Sequence, residues 1–378
     1  MRCLQSFRLP SPQRLTDPSV FPSPNGFLDY PAGAQSPDTD SAGLCLAEAV
    51  VNSSFVDVNG VRLRLFEAGP PDGPVVVLAH GFPELAYSWR HQMPTLASAG
   101  YRVLAPDQRG YGGSSRPEPV EAYDITALTG DLVALLDAAG VERAAFVGHD
   151  WGAVVAWSTP LLHPDRVAAV VGLSVPPVPR PLTPPTVAFR RIFGDNFFYI
   201  LYFQQPGVAD AEMAADPGRA MRRMLGGMRA PAADSGNPVS ADEAAALRML
   251  APGPEGFIER LPEPERLPDW LTAAELDHYV EEFSRTGFTG ALNWYRNFDR
   301  NWHIMESPAA QTIEVPALFV GGNCDPVLAF TNIDRAGEVA KGPYRQVMLD
   351  GAGHWIQQER PDEINAELLG FLAQVPWS

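Results

Sequence analysis

Six short, mostly apolar runs recur along the chain, at Pro74 to Leu78, Tyr101 to Ala105, Ala144 to Val147, Val167 to Leu173, Pro316 to Val320 and Arg345 to Leu349. Each is one strand long, and helical stretches separate them. Strands that are apolar throughout, rather than on alternate residues, must be covered on both faces, which a parallel sheet with helices above and below provides. Ahead of them, Ser54 to Val58 alternates, Asn59-Gly60 follows, and Val61 to Phe66 alternates again, the pattern of an antiparallel hairpin whose turn needs positive-φ residues. The expectation is a doubly wound α/β domain built on a mostly parallel, eight-stranded sheet.

The helical period is clearest from Ile125 to Ala139, where Leu128, Leu132, Leu135 and Leu136 share a face and Gly140 ends the helix. From residue 176 to 311 the strand pattern gives way to aromatic, proline-rich and helical stretches, which predicts a helical cap inserted between two parts of the core, 53–175 and 312–378. Within it, Arg229 to Asp269 is dense in Pro, Ala, Glu and Gly and is expected to be largely loop, with one short helix from Asp242 to Leu250. Residues 1–52, rich in Pro, Ser, Gly and Asp without a steady period, read as a disordered extension.

Hydrophobic residues make up 46% of the chain and charged residues 19%, the balance of a soluble globular protein. A formal charge of −17 opposes binding to nucleic acid or to anionic lipid, since either would need clustered Lys and Arg. No uncharged apolar run approaches the ~20 residues that span a bilayer. Cys3, Cys45 and Cys324 are an odd number without CxxC spacing, so neither a disulfide framework nor a zinc site is indicated and a reducing, cytoplasmic location is expected.

The chemistry gathers at strand ends. Ala144 to Val147 runs straight into Gly148-His149-Asp150-Trp151-Gly152 and then an apolar helix, which places Asp150 on a tight strand-to-helix turn. The flanking glycines suit such a turn because a side chain there would meet neighbouring backbone. Asp is also a common helix N-cap. The strand before it and the partners later in the chain favour a nucleophile instead. A carboxylate is already ionised at neutral pH and, attacking a saturated carbon, leaves an alkyl ester.

Those partners follow in the order nucleophile, acid, histidine. Asp325 stands just past the run ending at Val320, and His354 lies in Asp350-Gly-Ala-Gly-His-Trp after the last strand. His354 is expected to activate water against the Asp150 ester, with Asp325 fixing its tautomer. After the strand at Pro74 to Leu78 comes His80-Gly81-Phe82-Pro83, where the backbone N–H of Phe82, with that of Trp151, would form an oxyanion hole. His80, Pro83, Trp89, Trp294 and Trp355 are expected to wall the substrate pocket, although aromatics serve equally as core. His149 is read as structural, and His278 and His303 lack metal-ligand spacing.

With these pieces in place the chain resembles the epoxide hydrolases of the α/β-hydrolase superfamily, from about Phe55 to the C-terminal helix. The motifs are HGFPE with YSWRHQ, DQRGYGGS, GHDWG, the segment Tyr199 to Glu212 (YILYFQQPGVADAE), Thr286 to Asn297 (TGFTGALNWYRN) and GHWIQQE. GHDWG is shared with haloalkane dehalogenases. The resemblance implies that Tyr199 and Tyr295 hydrogen-bond the epoxide oxygen. The chemistry agrees, since a phenol stays protonated at neutral pH and can help an alkoxide leave. Tyr202, one turn from Tyr199, is read as packing. The resemblance further implies a small hydrophobic epoxide as substrate, no metal or organic cofactor, a homodimer as one arrangement, and a single activity.

Two other readings share these residues. A dehalogenase would use the same aspartate, but dehalogenases commonly carry Trp or Asn in place of Phe82, and fluoroacetate dehalogenases have Arg where Trp151 stands. A noncatalytic ligand-binding protein of the same fold would be expected to lack part of the catalytic set.

Overall fold

The computed structural model describes residues 50–227, 249–331 and 333–377. The extension through residue 49 and residues 242–248 of the expected short helix lie outside the described residues. The hairpin forms as expected, β1 (Asn52–Val58) pairing antiparallel with β2 (Val61–Ala68) across Asn59 and Gly60, both at positive φ. Asn52, assigned to the extension from sequence, pairs with Glu67 and already belongs to β1.

The remaining strands are β3 (Val75–Ala79), β4 (Arg102–Pro106), β5 (Ala144–His149), β6 (Val167–Leu173), β7 (Ala317–Gly322) and β8 (Tyr344–Leu349). Together they form one eight-stranded sheet in the order β1-β2-β4-β3-β5-β6-β7-β8, parallel from β4 onward. Every residue of β3, β5, β6 and β7 is buried, which is why these strands read as continuous apolar runs. β8 lies at the edge, and its Arg345, Gln346 and Met348 are exposed.

Helices α1 (Gln92–Ser98), α2 (Ile125–Ala138) and α3 (Trp151–Leu162) fill the early crossovers. Asp124 caps α2 by accepting the Ala127 N–H at 3.0 Å, and Leu128, Leu132, Leu135 and Leu136 are its buried stripe. From β3 the chain moves outward to β4 on one side, then returns to β5 on the other. The crevice where strand order reverses therefore opens above the carboxyl ends of β3 and β5, the usual ligand position in such sheets.

Between β6 and β7 the chain makes a helical excursion. Among the described residues its helices are α4 (Pro185–Phe193), α5 (Tyr199–Phe203), α6 (Val208–Ala215), α7 (Pro217–Gly227), α8 (Phe257–Arg260), α9 (Ala273–Thr286), α10 (Thr289–Arg296) and α11 (Phe298–Ile304). Polar contacts fasten it to the sheet domain: Arg90 to Glu275 at 2.7 Å, Arg300 to Asp124 at 2.8 Å, and the Ile125 N–H to Asn301 Oδ1 at 2.8 Å. After β8 come α12 (Ile356–Glu359) and α13 (Pro361–Leu372). Among the described residues no helix is long and apolar enough to cross a membrane.

Candidate active site

Asp150 joins β5 to α3 with φ 52° and ψ −118°, a conformation that costs about 1–3 kcal/mol for a residue bearing a Cβ. Close packing enforces it. A Cβ on Gly148 would lie 2.0 Å from the Gly152 carbonyl oxygen, and one on Gly152 would lie 1.9 Å from that of Ala79. On the neighbouring strand end, a Cβ on Gly81 would stand 2.5 Å from the Asp150 Cβ. The elbow thus seats the carboxylate directly over the β3–β5 crevice.

The loop after β3 supplies the first contact, the Phe82 backbone N–H donating to Asp150 Oδ1 at 2.8 Å. Trp151 opens α3, so its backbone N–H belongs to the first turn, where no intrahelical carbonyl is available to it. His354 comes from the loop after β8, with Nε2 at 3.6 Å from Asp150 Oδ2 and Nδ1 at 3.0 and 3.1 Å from the oxygens of Asp325. Asp325 follows β7, and its Oδ1 also accepts the Val327 N–H at 2.8 Å, which sets the carboxylate's orientation.

Burial alone would neutralise these groups, and their mutual pairing reverses that. Desolvation lowers the His354 pKa, but the Asp325 charge, with Asp150 close by, lifts it well above the usual imidazole value. Desolvation likewise pushes Asp150 up, while His354, His149 and the Phe82 N–H bring it below the ordinary carboxylate value. The carboxylate is ionised and ready.

Over it stand Tyr199 from α5 and Tyr295 from α10, their ring centroids 6.1 Å apart. The Tyr295 ring meets Trp151 at 5.1 Å, Phe203 at 5.1 Å and Phe82 at 5.3 Å, so aromatic edges surround it. Burial and then the Asp150 charge push both phenols well above their usual pKa. Trp151, whose indole can only donate, works the other way and draws the Tyr295 phenol down. Tyr202 instead donates to Glu212 at 3.0 Å, in keeping with its reading as a packing residue.

Of the residues expected to wall the pocket, several stand one layer back. His80 is fully buried, its Nδ1 3.0 Å from the Gly81 carbonyl and its Nε2 accepting the Gln108 N–H at 3.0 Å. It therefore ties loops together and presents neither nitrogen to a ligand. Trp294 donates to the Arg109 carbonyl at 3.2 Å and buttresses Trp151 from behind, at 5.9 Å between ring centroids. Trp89 is buried in the turn Ala86–Trp89, Trp355 packs on His354 at 4.7 Å, and Pro83 is buried beside Phe82.

Residues not singled out from sequence complete the site. Glu84, wholly buried, accepts from His149 Nδ1 at 2.7 Å and from the side-chain amides of Gln357 and Gln358 at 3.0 and 2.7 Å. His149 Nε2 reaches the His354 carbonyl at 2.8 Å, and Ser174, at φ 65°, donates its hydroxyl to the same oxygen at 2.7 Å. Glu84 was visible in HGFPE as a conspicuous acid, but nothing local marks Ser174.

Comparison with known proteins matches this geometry to a family. A family model for the alpha/beta hydrolase fold matches residues 74–201. Epoxide hydrolase A of Mycobacterium tuberculosis is 68% identical over 318 residues, covering 84% of this chain and 96% of that protein. The bifunctional epoxide hydrolase 2 of Mus musculus is 36% identical over 346 residues, covering 91% of this chain and 59% of that protein. The crystal structure of epoxide hydrolase A from Mycobacterium thermoresistibile superposes with a TM-score of 0.82 at 66% identity, covering 86% of this chain and 99% of that one. An epoxide hydrolase from Vigna radiata superposes with a TM-score of 0.72 at 36% identity, covering 86% and 98%. This chain belongs to the epoxide hydrolases of the α/β-hydrolase fold.

Proposed function

We propose that the chain hydrolyses a small hydrophobic epoxide to a vicinal diol through an alkyl ester on Asp150. The observation that carries this reading is the meeting, over one crevice, of an ionised Asp150, its Phe82 donor, His354 and two high-pKa phenols. A carboxylate oxygen attacks one ring carbon and the C–O bond breaks. Tyr199 and Tyr295 hydrogen-bond the departing oxygen, and one of them gives it its proton and becomes a phenolate. Residues 176–311 then act as the cap that brings these phenols over the nucleophile.

The second step needs a base, and the first step creates it. Esterification removes the negative charge of Asp150, one of the groups that keep His354 protonated in the free enzyme. With Asp325 left as the main group opposing burial, the imidazole gives up its proton more readily and can take one from water. That water attacks the ester carbonyl carbon. The N–H groups of Phe82 and Trp151 receive the oxyanion, each such donor being worth about 10² to 10³ in rate. Collapse expels the diol oxygen, protonated by His354, and the second proton of the water leaves the regenerated acid for the phenolate, which restores both the carboxylate and the phenol.

Aromatic rings pack around the two phenols, Phe257 on Tyr199 at 5.7 Å and Phe203 on Tyr295 at 5.1 Å, which favours an apolar epoxide. The halide reading finds less support. The Phe82 side chain offers no donor, and the Trp151 ring packs edge to face on Tyr295 at 5.1 Å. The cytoplasmic location and the homodimer belong to the same proposal, and cell fractionation and sedimentation would test them. The mechanism is tested by single-turnover hydrolysis of styrene oxide in ¹⁸O-labelled water, with diol and Asp150 peptide analysed by mass. Unlabelled diol with label in Asp150 is expected; label going directly into the diol would overturn the ester.

A further inference from the structure

We propose that Glu359 and Ser174, together with His149, are positioning residues for the second step: they clamp the backbone of His354 so that its imidazole meets the Asp150 ester. The inference rests on the two-step reading above. His354 lies on a loop between β8 and α12, and a loop residue has no ladder or helix to fix its backbone. Here side chains replace that framework. Glu359 Oε2 accepts the Gly353 N–H at 2.8 Å and its Oε1 accepts the Trp355 N–H at 2.9 Å, so one carboxylate brackets His354 on both sides. A Cβ on Gly353 would lie 2.9 Å from the Glu359 Oε1, which shows how closely the carboxylate is seated.

The His354 carbonyl is held from the opposite direction. It receives the Ser174 hydroxyl at 2.7 Å and His149 Nε2 at 2.8 Å, satisfying both lone pairs. Ser174 reaches it only by adopting φ 65°, uncommon for a residue with a side chain, while its own N–H is anchored to the Val320 carbonyl at 2.9 Å. His149 is oriented in turn by buried Glu84 at 2.7 Å, and Glu84 is tied to α12 through Gln357 and Gln358. Four hydrogen bonds therefore converge on the backbone of residues 353–355, from the residue after β6, from the end of β5 and from α12. None of these side chains reaches the reacting atoms as a donor; Glu359 and Ser174 act through His354, whereas His149 also bears on the charge of Asp150.

The distinguishing property is which step they serve. His354 acts as base in ester hydrolysis alone, so loosening its backbone should slow ester decay and leave ester formation alone. The test uses Glu359→Gln and Ser174→Ala in the full chain, with styrene oxide as probe. Rapid quench and intact mass follow the ester on Asp150, and His354→Gln is the reference. A misplacement approaching 1 Å costs about 10²-fold, so ester decay should slow about 10- to 100-fold. Formation should stay within about twofold, with kcat and KM falling together and kcat/KM unchanged. A merely structural role would lower both steps or the active fraction. Unchanged decay in both variants, or equal slowing of both steps, overturns the clamp. Should Glu359→Gln fail to fold, Ser174→Ala carries the decision. If His354→Gln itself accumulates no ester, the two-step reading fails, and the clamp with it.

Discussion

Replacing Gly81 with Ala should slow ester formation about 10²-fold while leaving the chain folded. The added methyl would stand 2.5 Å from the Asp150 Cβ, 2.7 Å from its Oδ1 and 2.7 Å from the His149 carbonyl oxygen. Carbon atoms rest about 3.5–4.0 Å apart, so the gap must open by about 1 Å. Asp150 has little room to retreat, because its φ of 52° is enforced by the contacts of Gly148 and Gly152. The displacement therefore falls on the carboxylate and on the 2.8 Å hydrogen bond from Phe82, whose N–H is next along the chain from the substitution. Losing one such donor costs about 10²- to 10³-fold, and a 1 Å misalignment about 10²-fold. At about 1.36 kcal/mol per tenfold, that is roughly 3 kcal/mol of activation free energy.

Overpacking at the same position costs about 1–3 kcal/mol, a fraction of the 5–15 kcal/mol typical of a folded domain. Thermal unfolding should therefore show a shift of a few degrees rather than a lost transition. Rapid-quench measurement of ester formation with styrene oxide separates the two effects. Formation within about threefold of wild type, in a folded variant, would refute the claim that packing at Gly81 sets the carboxylate.

Asp150→Asn should abolish turnover in a steady-state diol assay, apart from slow recovery if deamidation regenerates the acid; immediate, stable activity would remove Asp150 as nucleophile. Tyr199→Phe combined with Tyr295→Phe should cost far more on an epoxide than on an alkyl halide, whose leaving group needs no proton. Equal losses in a side-by-side rate comparison would point to general damage instead. The pH profile of kcat/KM should be broad. Asp150 is shifted down, so its ionised form persists into acid and is lost only as pH falls through that lowered pKa. Tyr199 and Tyr295 are shifted up, so their donating forms persist above pH 10, the ordinary phenol value. An alkaline limb below that value, or an acid limb near neutrality, would contradict the assignment.

The strands were legible because burial on both faces writes itself as unbroken apolar sequence, as in β5 and β6. The same signal located Asp150, Asp325 and His354, since each follows a strand end and the topology brings those ends together. The helical excursion between β6 and β7 was legible as a change of pattern but not in detail. α5 has five residues, too few to display a helical period. His80 was misplaced for an instructive reason: the tetrapeptide that carries the Phe82 donor also carries a histidine, and only the fold shows its ring committed to Gly81 and Gln108. Ser174 was invisible because its partner is 180 residues away and its conformation is imposed by tertiary contacts. Trp89, Trp294 and Trp355 had the composition of a pocket wall, and composition does not distinguish the lining of a cavity from the layer behind it.

The asymmetric seating of the Asp150 carboxylate has an outcome at the level of single atoms. Oδ1 is held by Phe82 while Oδ2 faces His354, so the two oxygens have different fates. In the two-step scheme the oxygen bonded to the substrate departs with the diol and a solvent oxygen replaces it, while the one in the hole stays. Each cycle thus renews the protein by one atom. A molecule that has worked for thousands of cycles keeps an oxygen set in place when its chain was made, beside another that arrived with its last substrate. Only a half-turn of the side chain, against the Phe82 hydrogen bond, would exchange the permanent position for the renewable one.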